Sequence, residues 1–300
     1  MLEFHPLTLE DRAWCEDILR AENSRSADFS FGNIYMWDKR YKQLVTRFGD
    51  RMLVKLKYED LPFFAFPVGT GPLAPAVREL HAFAEMRGYP LCISGITEEH
   101  KAELEAAFPN RFMYCEDDAY FDYIYRAESL ASLAGKKLHG KKNHCNRFEA
   151  ENAGWDFVPL TRELVPGCVD MLRQWTEENA DRLHEGIADE HEAIVRGFEA
   201  FDRLALDGGV LRAGGRILGF TVGEQISDDT VDVHFEKAFT GINGAYPMVT
   251  REYARMVLAT RRGVIYLNRE DDMGQESMRK AKESFQPEYR LKKYTARYSG

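Results

Sequence analysis

The chain lacks any apolar run near the ~18 to 20 residues that a membrane-spanning helix needs. Its opening, Met1 to Pro6 followed by acidic positions, has no charged-then-apolar leader pattern. A soluble protein of the cytoplasm, without a membrane span, is the expectation. Cysteine is scarce: five residues, Cys15, Cys92, Cys115, Cys145 and Cys168, with no C-x-x-C pair. Odd number and scatter exclude a disulfide framework and a zinc knuckle. Positive charge is in deficit, 40 Lys+Arg against 49 Asp+Glu for a net charge of −9, which argues against coating nucleic acid or carpeting a membrane. An anionic partner must therefore find a local basic patch. No G-x-S-x-G, Walker or Rossmann fingerprint stands between a strand and a helix. His184-Glu185 and His191 miss the H-E-x-x-H spacing because Ala188 occupies the second histidine position, so no metal is expected.

What is present suffices for about two domains: 300 residues, 44% apolar and 12% aromatic. In the first half, alternating segments at 43–48 and 52–58 flank Gly49-Asp50 as a hairpin, and Gly69-Thr70-Gly71-Pro72 breaks the next strand. Helical spacing then marks 75–87 and 98–108. In the second half, strands are expected at 155–160, around Gly214-Gly215, at 231–239 and at 264–267. Helices are expected at 162–179, 190–206, 246–262 and 274–285, with a single terminal strand at 289–298. Both halves run strand, helix, helix, hairpin, strand, Gly loop, helix, strand, helix, strand. No residue-level repeat accompanies this order, so the duplication is one of architecture. It resembles two GNAT-type acyltransferase folds in tandem, an α/β (α+β) chain of two mixed sheets flanked by helices. The expected division is a first domain at 1–128, a basic helical connector at 129–152 and a second domain at 153–300.

The connector gathers cations in an acidic protein. Lys136, Lys137, Lys141, Lys142 and Arg147 lie with His139 and His144 in a window without an acid, while Leu138, Cys145 and Phe148 give a helix its apolar edge. Such concentration points to a phosphate-bearing ligand, and Asn143 and Asn146 add short amides beside the cations. The alternative is a solvated interdomain helix.

Strand 231–239 alternates, which places Val231, Val233 and Phe235 on one face and Asp232, His234 and Glu236 on the other. His234 or Glu236 can then accept the proton of an attacking amine; the plainer reading is an exposed polar face. Beyond it, Gly241 to Gly244 leads into a helix with Pro247 in its first turn, whose free N–H groups suit a phosphate or an oxyanion. The CoA-loop pattern Gln/Arg-x-x-Gly-x-Gly/Ala fits poorly there. The closer match at 66–71 opens on Phe66 instead of a polar residue, and an ordinary turn is preferred. Where the apolar strand 264–267 ends, Asn268, Arg269, Glu270, Asp271 and Asp272 follow at once, at the kind of strand tip where ligands collect. Arg269 suits a carboxylate or phosphate, and Glu270 and Asp272 a substrate ammonium. Lys280 and Ser284, one turn apart, extend the pocket. A helix start capped by Asp272 is the structural alternative.

Three blocks carry a resemblance: Lys141 to Phe148; His234 to Ala238 with Gly244-Ala245-Tyr246; and Asn268 to Gly274 with Arg279 to Ser284. Together they resemble an uncharacterised bacterial family related to the C-terminal domain of phosphatidylglycerol lysyltransferases. That wider group is similar to the aminoacyl-tRNA-dependent transferases, including the peptidoglycan-bridge enzymes, on tandem GNAT-like folds. The resemblance implies a transferase ancestry. The leading expectation is transfer of an activated acyl group, from aminoacyl-tRNA gripped at its acceptor end, to a small amine. His234 or Glu236 serves as base, Gly244 supplies the oxyanion site, and Arg269 with Glu270 orients substrate. Lys141, Lys142, Asn143, Asn146, Arg147, Lys237, Tyr246, Asn268, Asp272, Lys280 and Ser284 line the binding site. Two alternatives stand beside it: an acyl-CoA-dependent N-acetyltransferase, and a non-catalytic module for a nucleotide or phosphorylated metabolite. All require the cationic connector and the strand tips to meet in one pocket.

Overall fold

A computed structural model describes residues 2–58, 61–179 and 185–300. The two mixed sheets flanked by helices that the order of elements leads one to expect are what the chain forms. The first sheet contains β1 (His5–Pro6), β2 (Leu44–Phe48), β3 (Arg51–Tyr58), β4 (Leu61–Ala65), β5 (Val68–Gly69), β6 (Cys92–Ile96) and β7 (Phe112–Glu116). The second contains β8 (Asp122–Arg126), β9 (Asp156–Pro159), β10 (Asp207–Ala213), β11 (Arg216–Gln225), β12 (Thr230–Ala238), β13 (Tyr266–Asn268) and β14 (Tyr289–Leu291). The last strand, β15 (Tyr294–Tyr298), returns to the first sheet between β6 and β7.

Sheet membership therefore does not follow the expected division at 128 and 153. Strand β8 precedes the connector yet sits inside the second sheet, between β14 and β13. The single terminal strand expected at 289–298 is two, because the chain crosses from one sheet to the other at Lys292-Lys293. Lys293 is buried at that crossing, and its ammonium pairs with Asp122 at 2.8 Å and Asp28 at 3.0 Å. A local apolar pattern carries no sign of so distant a pair.

Each sheet holds one parallel joint, β4 with β6 and β12 with β13. A continuous core fills the first half and extends onto one face of the second sheet through Phe220, Val222 and Phe235. The other face packs on the helix Ala245–Thr260, whose Met248, Val249, Tyr253 and Val257 recur at helical spacing and are all buried. The connector helix His139–Glu151 buries Cys145 and Phe148 on the same core, as its apolar edge required. Gly244, in the left-handed region at φ 81°, stands between the two helices: a Cβ there would lie 2.2 Å from the His144 carbonyl oxygen, so only glycine permits the approach. All five cysteines are free thiols. Among the described residues, no helix is long and apolar enough to cross a membrane.

Candidate functional site

The joint between β12 and β13 is short. Their parallel pairing covers Thr230 with Tyr266, Val231 with Leu267 and Asp232 with Asn268, and ends there. Beyond it β12 runs on through Ala238, while Arg269 and Glu270 turn toward β8, exchanging Arg269 N–H to Tyr123 O (3.0 Å) and Tyr123 N–H to Glu270 O (3.1 Å). Glu270 adopts φ 54°, a left-handed conformation that costs a non-glycine residue about 1–3 kcal/mol. Asn268 holds it by accepting the Glu270 N–H at 2.7 Å. The two strand tips thus separate, and the later half of β12 keeps one backbone edge without a strand partner among the described residues.

The expected alternation along β12 does not hold. Val222 faces Phe235 and Gly223 faces Val233, so His234 is an extra residue, a β-bulge. Past the bulge the faces exchange. Val231, Val233 and Ala238 lie in the core under the helix Ala245–Thr260, whereas Phe235 and Phe239 lie in the core shared with the first half. Glu236 consequently parts from His234 and faces the helix, where its Oε1 accepts from Thr250 Oγ1 at 2.6 Å and Arg269 Nη2 at 3.1 Å.

His234 faces the first half, its side chain wholly inaccessible. Its Nε2 lies 3.0 Å from Glu224 Oε1, and its Nδ1 lies 3.2 Å from both Glu270 Oε1 and Asp232 Oδ2. Glu224 also accepts the Gly32 N–H at 3.1 Å, and Glu270 accepts from Asn33 Nδ2 at 3.2 Å, so the helix Phe31–Met36 closes this side. Asp232 is 0% exposed and neither of its carboxylate oxygens has a hydrogen-bond partner; its approach to Nδ1 is close without being aligned. Burial alone would depress the imidazole, but the Asp232 charge and contacts with Asp232, Glu224 and Glu270 push its pKa well above the usual histidine value. Burial raises Asp232 as well, and burial with the Asp232 charge brings Glu270 to about 7. Glu224 resists burial through its bond to His234 and stays low.

On the opposite face the cationic connector meets the strand tips through one residue. Lys141 Nζ stands 4.2 Å above the Phe285 ring, and the Arg269 guanidinium stands 4.8 Å from the same ring. Burial, then the Arg269 charge, lowers the Lys141 pKa. Arg269 Nη1 is buried without a hydrogen-bond partner. The expected convergence is thus confined to Lys141. Lys142 lines a cavity of about 480 Å³ with Gly135, Lys136 and His139. Asn143 bonds His139 at 3.3 Å, Asn146 is exposed, and Arg147 pairs with Glu151 at 2.7 Å one turn along.

Several other expected binding residues serve the fold. Lys237 lies on the far face, paired with Glu190 at 2.6 Å and 4.2 Å from the Trp175 ring. Asn268 divides its amide between Arg25 O and Asp122. Asp272 is buried, bound by Tyr123 Oη at 2.6 Å, Arg279 Nε at 2.9 Å and the Gly274 N–H at 2.9 Å, so no oxygen is left for an ammonium. Lys280 is exposed and pairs with Glu276 at 2.5 Å, and Ser284 bonds Ala281 O, so neither extends a pocket. Tyr246 is half-buried against the second-sheet core. Gly244 has the packing duty described above. The glycine turn at 66–71 is filled by side chains: Arg51 bonds Pro67 O and, at 2.6 Å, Gly71 O, while Glu22 takes the Gly69 N–H at 2.6 Å. His184 lies outside the described residues, and His191 bonds Thr176 at 3.3 Å. Sequence reading missed Glu224; its signal was a lone carboxylate beside Gly223 near the end of an otherwise apolar strand.

The sequence model of the family described as "Phosphatidylglycerol lysyltransferase, C-terminal" matches residues 20–297. No curated protein matches by sequence. A conserved protein of unknown function from Bacteroides thetaiotaomicron VPI-5482 is similar in structure over 100% of both chains, with 36% identity and a TM-score of 0.94. L-PGS from Bacillus licheniformis is similar over 99% of this chain and 94% of its own, with 16% identity and a TM-score of 0.66. FemX is similar over 98% of this chain and 97% of its own, with 10% identity and a TM-score of 0.59. The last two likenesses are of fold.

Proposed function

The chain belongs to the phosphatidylglycerol lysyltransferase C-terminal family, and from that premise we propose that it transfers an activated acyl group, carried as an aminoacyl ester on tRNA, to a small amine at the gap where β12 parts from β13. One observation carries this reading: Arg269, bound to Glu236 on the later half of β12, and Lys141 both stand against the Phe285 ring, and Arg269 holds a buried N–H with no acceptor. A guanidinium with an uncommitted donor next to an ammonium is suited to a donor's phosphate or ester carbonyl. Lys137, Lys142 and Asn143, exposed on and beside the same helix, supply further contacts for a polyanionic donor.

In this reading the donor draws Arg269 away from Glu236. The freed carboxylate then accepts the proton of the amine as its nitrogen attacks the ester carbonyl carbon. The C–O bond to the ribose breaks, and the departing oxygen takes that proton from Glu236, so charge and protons balance. Thr250 keeps the carboxylate oriented throughout. His234, walled off on the other face, takes no proton from the amine. The filled glycine turn at 66–71 and the tight seat of Gly244 favour tRNA over CoA as the donor's anionic handle.

The test offers the protein charged tRNA pools and acyl-CoA separately and follows loss of the acyl group. Deacylation of charged tRNA that falls about 10²- to 10⁴-fold in Glu236→Gln, with donor binding retained, supports the reading. Arg269→Met should instead weaken donor binding. Turnover of acyl-CoA alone would move the assignment to an N-acetyltransferase, and binding without turnover of either to a ligand-holding module.

A further inference from the structure

On the face of β12 turned toward the first half, three carboxylates surround one imidazole. Three carboxylates, Glu224, Asp232 and Glu270, thus share one imidazole in a largely buried space, and carboxylates buried in excess of their cationic and hydrogen-bonding partners are costly for a fold to keep. The Lys282 ammonium gives little relief, because its Nζ is engaged by the carbonyl oxygens of Arg269 (2.5 Å) and Asp271. Asn33 Nδ2 and the Gly32 N–H each meet one carboxylate oxygen, but the oxygens of Asp232 have no hydrogen-bond partner and only the unaligned approach of His234 Nδ1. A fully buried carboxylate with both oxygens unbonded is an exception among native structures, and it calls for a cause.

The geometry supplies one. His234 Nδ1, an oxygen of Asp232 and an oxygen of Glu270 lie within 4.8 Å of one another, and the two distances from Nδ1 are both 3.2 Å. Ligand atoms at about 2.0 to 2.2 Å from a tetrahedral cation are separated by about 3.3 to 3.6 Å; both Nδ1 distances are close to that spacing, and the two carboxylate oxygens, within 4.8 Å of each other, need only a small side-chain turn to join the same sphere. The other ring nitrogen faces Glu224 at 3.0 Å, the carboxylate partner that fixes which imidazole nitrogen is left to bind a metal. Glu224 in turn is held by the Gly32 N–H at 3.1 Å, in a place that only glycine leaves free, since a Cβ at position 32 would stand 2.4 Å from Oε1. Of the three candidate ligands, Glu270 keeps the most exposed side chain, at 20%, and so marks the side open to solvent.

We propose that Asp232, His234 through Nδ1, and Glu270 bind one first-row divalent cation, of the zinc or manganese type, with Glu224 as the positioning residue on the far side of the ring. One imidazole with two carboxylates suits both ions, and zinc is expected to bind more tightly. The inference is independent of the acyl-transfer reading, because Glu236, Arg269 and Lys141 lie on the other face.

The experiment uses the full chain stripped with EDTA and titrated with Zn2+, then with Mn2+, by calorimetry, with the melting temperature followed in parallel. Expected are one equivalent of Zn2+ per chain and a rise in melting temperature on its addition. Asp232→Asn and His234→Gln should weaken binding by about 100-fold or more and abolish the rise, and Glu224→Gln should weaken it about 10- to 100-fold. Should Asp232→Asn fail to fold, Glu270→Gln, whose side chain is 20% exposed, gives the same readout. Absence of stoichiometric binding to the wild-type chain, or binding equally tight in these variants, overturns the proposal: the ring is then an imidazolium held by carboxylates alone. Co2+ in place of Zn2+ gives a second readout, since a visible absorption band of a nitrogen–oxygen site should appear in the wild type and vanish in His234→Gln.

Discussion

Both sheets are joined by one parallel pair, and each joint has a buried histidine near it, yet the two histidines are treated in opposite ways. Near β4 and β6, His100 stacks on Phe66 at 4.1 Å, meets a single carboxylate, Glu22, at 2.8 Å, and receives the Thr97 N–H on its other nitrogen at 3.4 Å. Glu22 spends its second oxygen on the Gly69 N–H. Donors and acceptors are matched, and the surroundings are apolar. Near β12 and β13, His234 meets three carboxylates, one of them unbonded. A matched polar pair is what a scaffold keeps, whereas a surplus of one charge is kept where something else is to be bound. The contrast sets a histidine matched by its partners beside one with a surplus of them.

Substitutions can break or sharpen that contrast. The largest effect is expected at Phe66, fully buried against His100: Phe66→Ala should cost about 3–5 kcal/mol of stability by urea titration, with the transfer rate per folded molecule unchanged. An equal loss of turnover would make the first half part of the reaction site. Next comes Gly32→Ala, whose new methyl group must displace Glu224. It should cost about 1–3 kcal/mol and weaken Zn2+ binding together with Glu224→Gln, whereas an effect on stability alone would reduce Gly32 to packing.

A smaller effect concerns acid. Burial alone would raise Glu22, but its bonds from His100 and Gly69 hold its pKa below the ordinary 4.5. The stabilisation this brings is complete above the unfolded value and is lost as pH falls through the lower, folded one. Glu22→Gln should therefore be less stable at neutral pH and lose less stability than the wild type on acidification below about 4.5. Parallel acid curves for the two proteins would contradict the pairing. Smallest of all, Lys280→Ala removes an exposed pair and should change stability by no more than about 0.5 kcal/mol, with turnover unaltered.

Much of the fold could be read in the residues. The hairpin at Gly49-Asp50 forms, the connector buries Leu138 just before its helix and Cys145 and Phe148 within it, and the doubled order of elements gives two mixed sheets. Helix and strand ends moved by a few residues, as with the helix expected at 246–262 and found at Ala245–Thr260. The faces of β12 were misread for a specific reason. Alternation assumes a uniform pleat, and one inserted residue at His234 reverses every side chain after it, which moves Glu236 to the helix side and Phe235 to the inter-half core. The connector was misread for another reason. Its cations share a sequence window, but a helix turns them around its axis, so Lys141 alone reaches Arg269. Asp272 and Asn268 looked like ligands because polar residues begin where a buried strand ends, and their partners Arg279, Tyr123 and Arg25 lie on other elements.

The placement of β15 has a consequence for how the molecule is made. Residues 294–298 form an interior strand of the sheet that residues 5–116 otherwise build, so during synthesis that sheet must wait, with β6 and β7 unjoined, until residues 294–298 have also left the ribosome. The first half is thus translated first and completed last, and a fragment cut at the connector would lack the strand that joins β7 to the rest of its sheet.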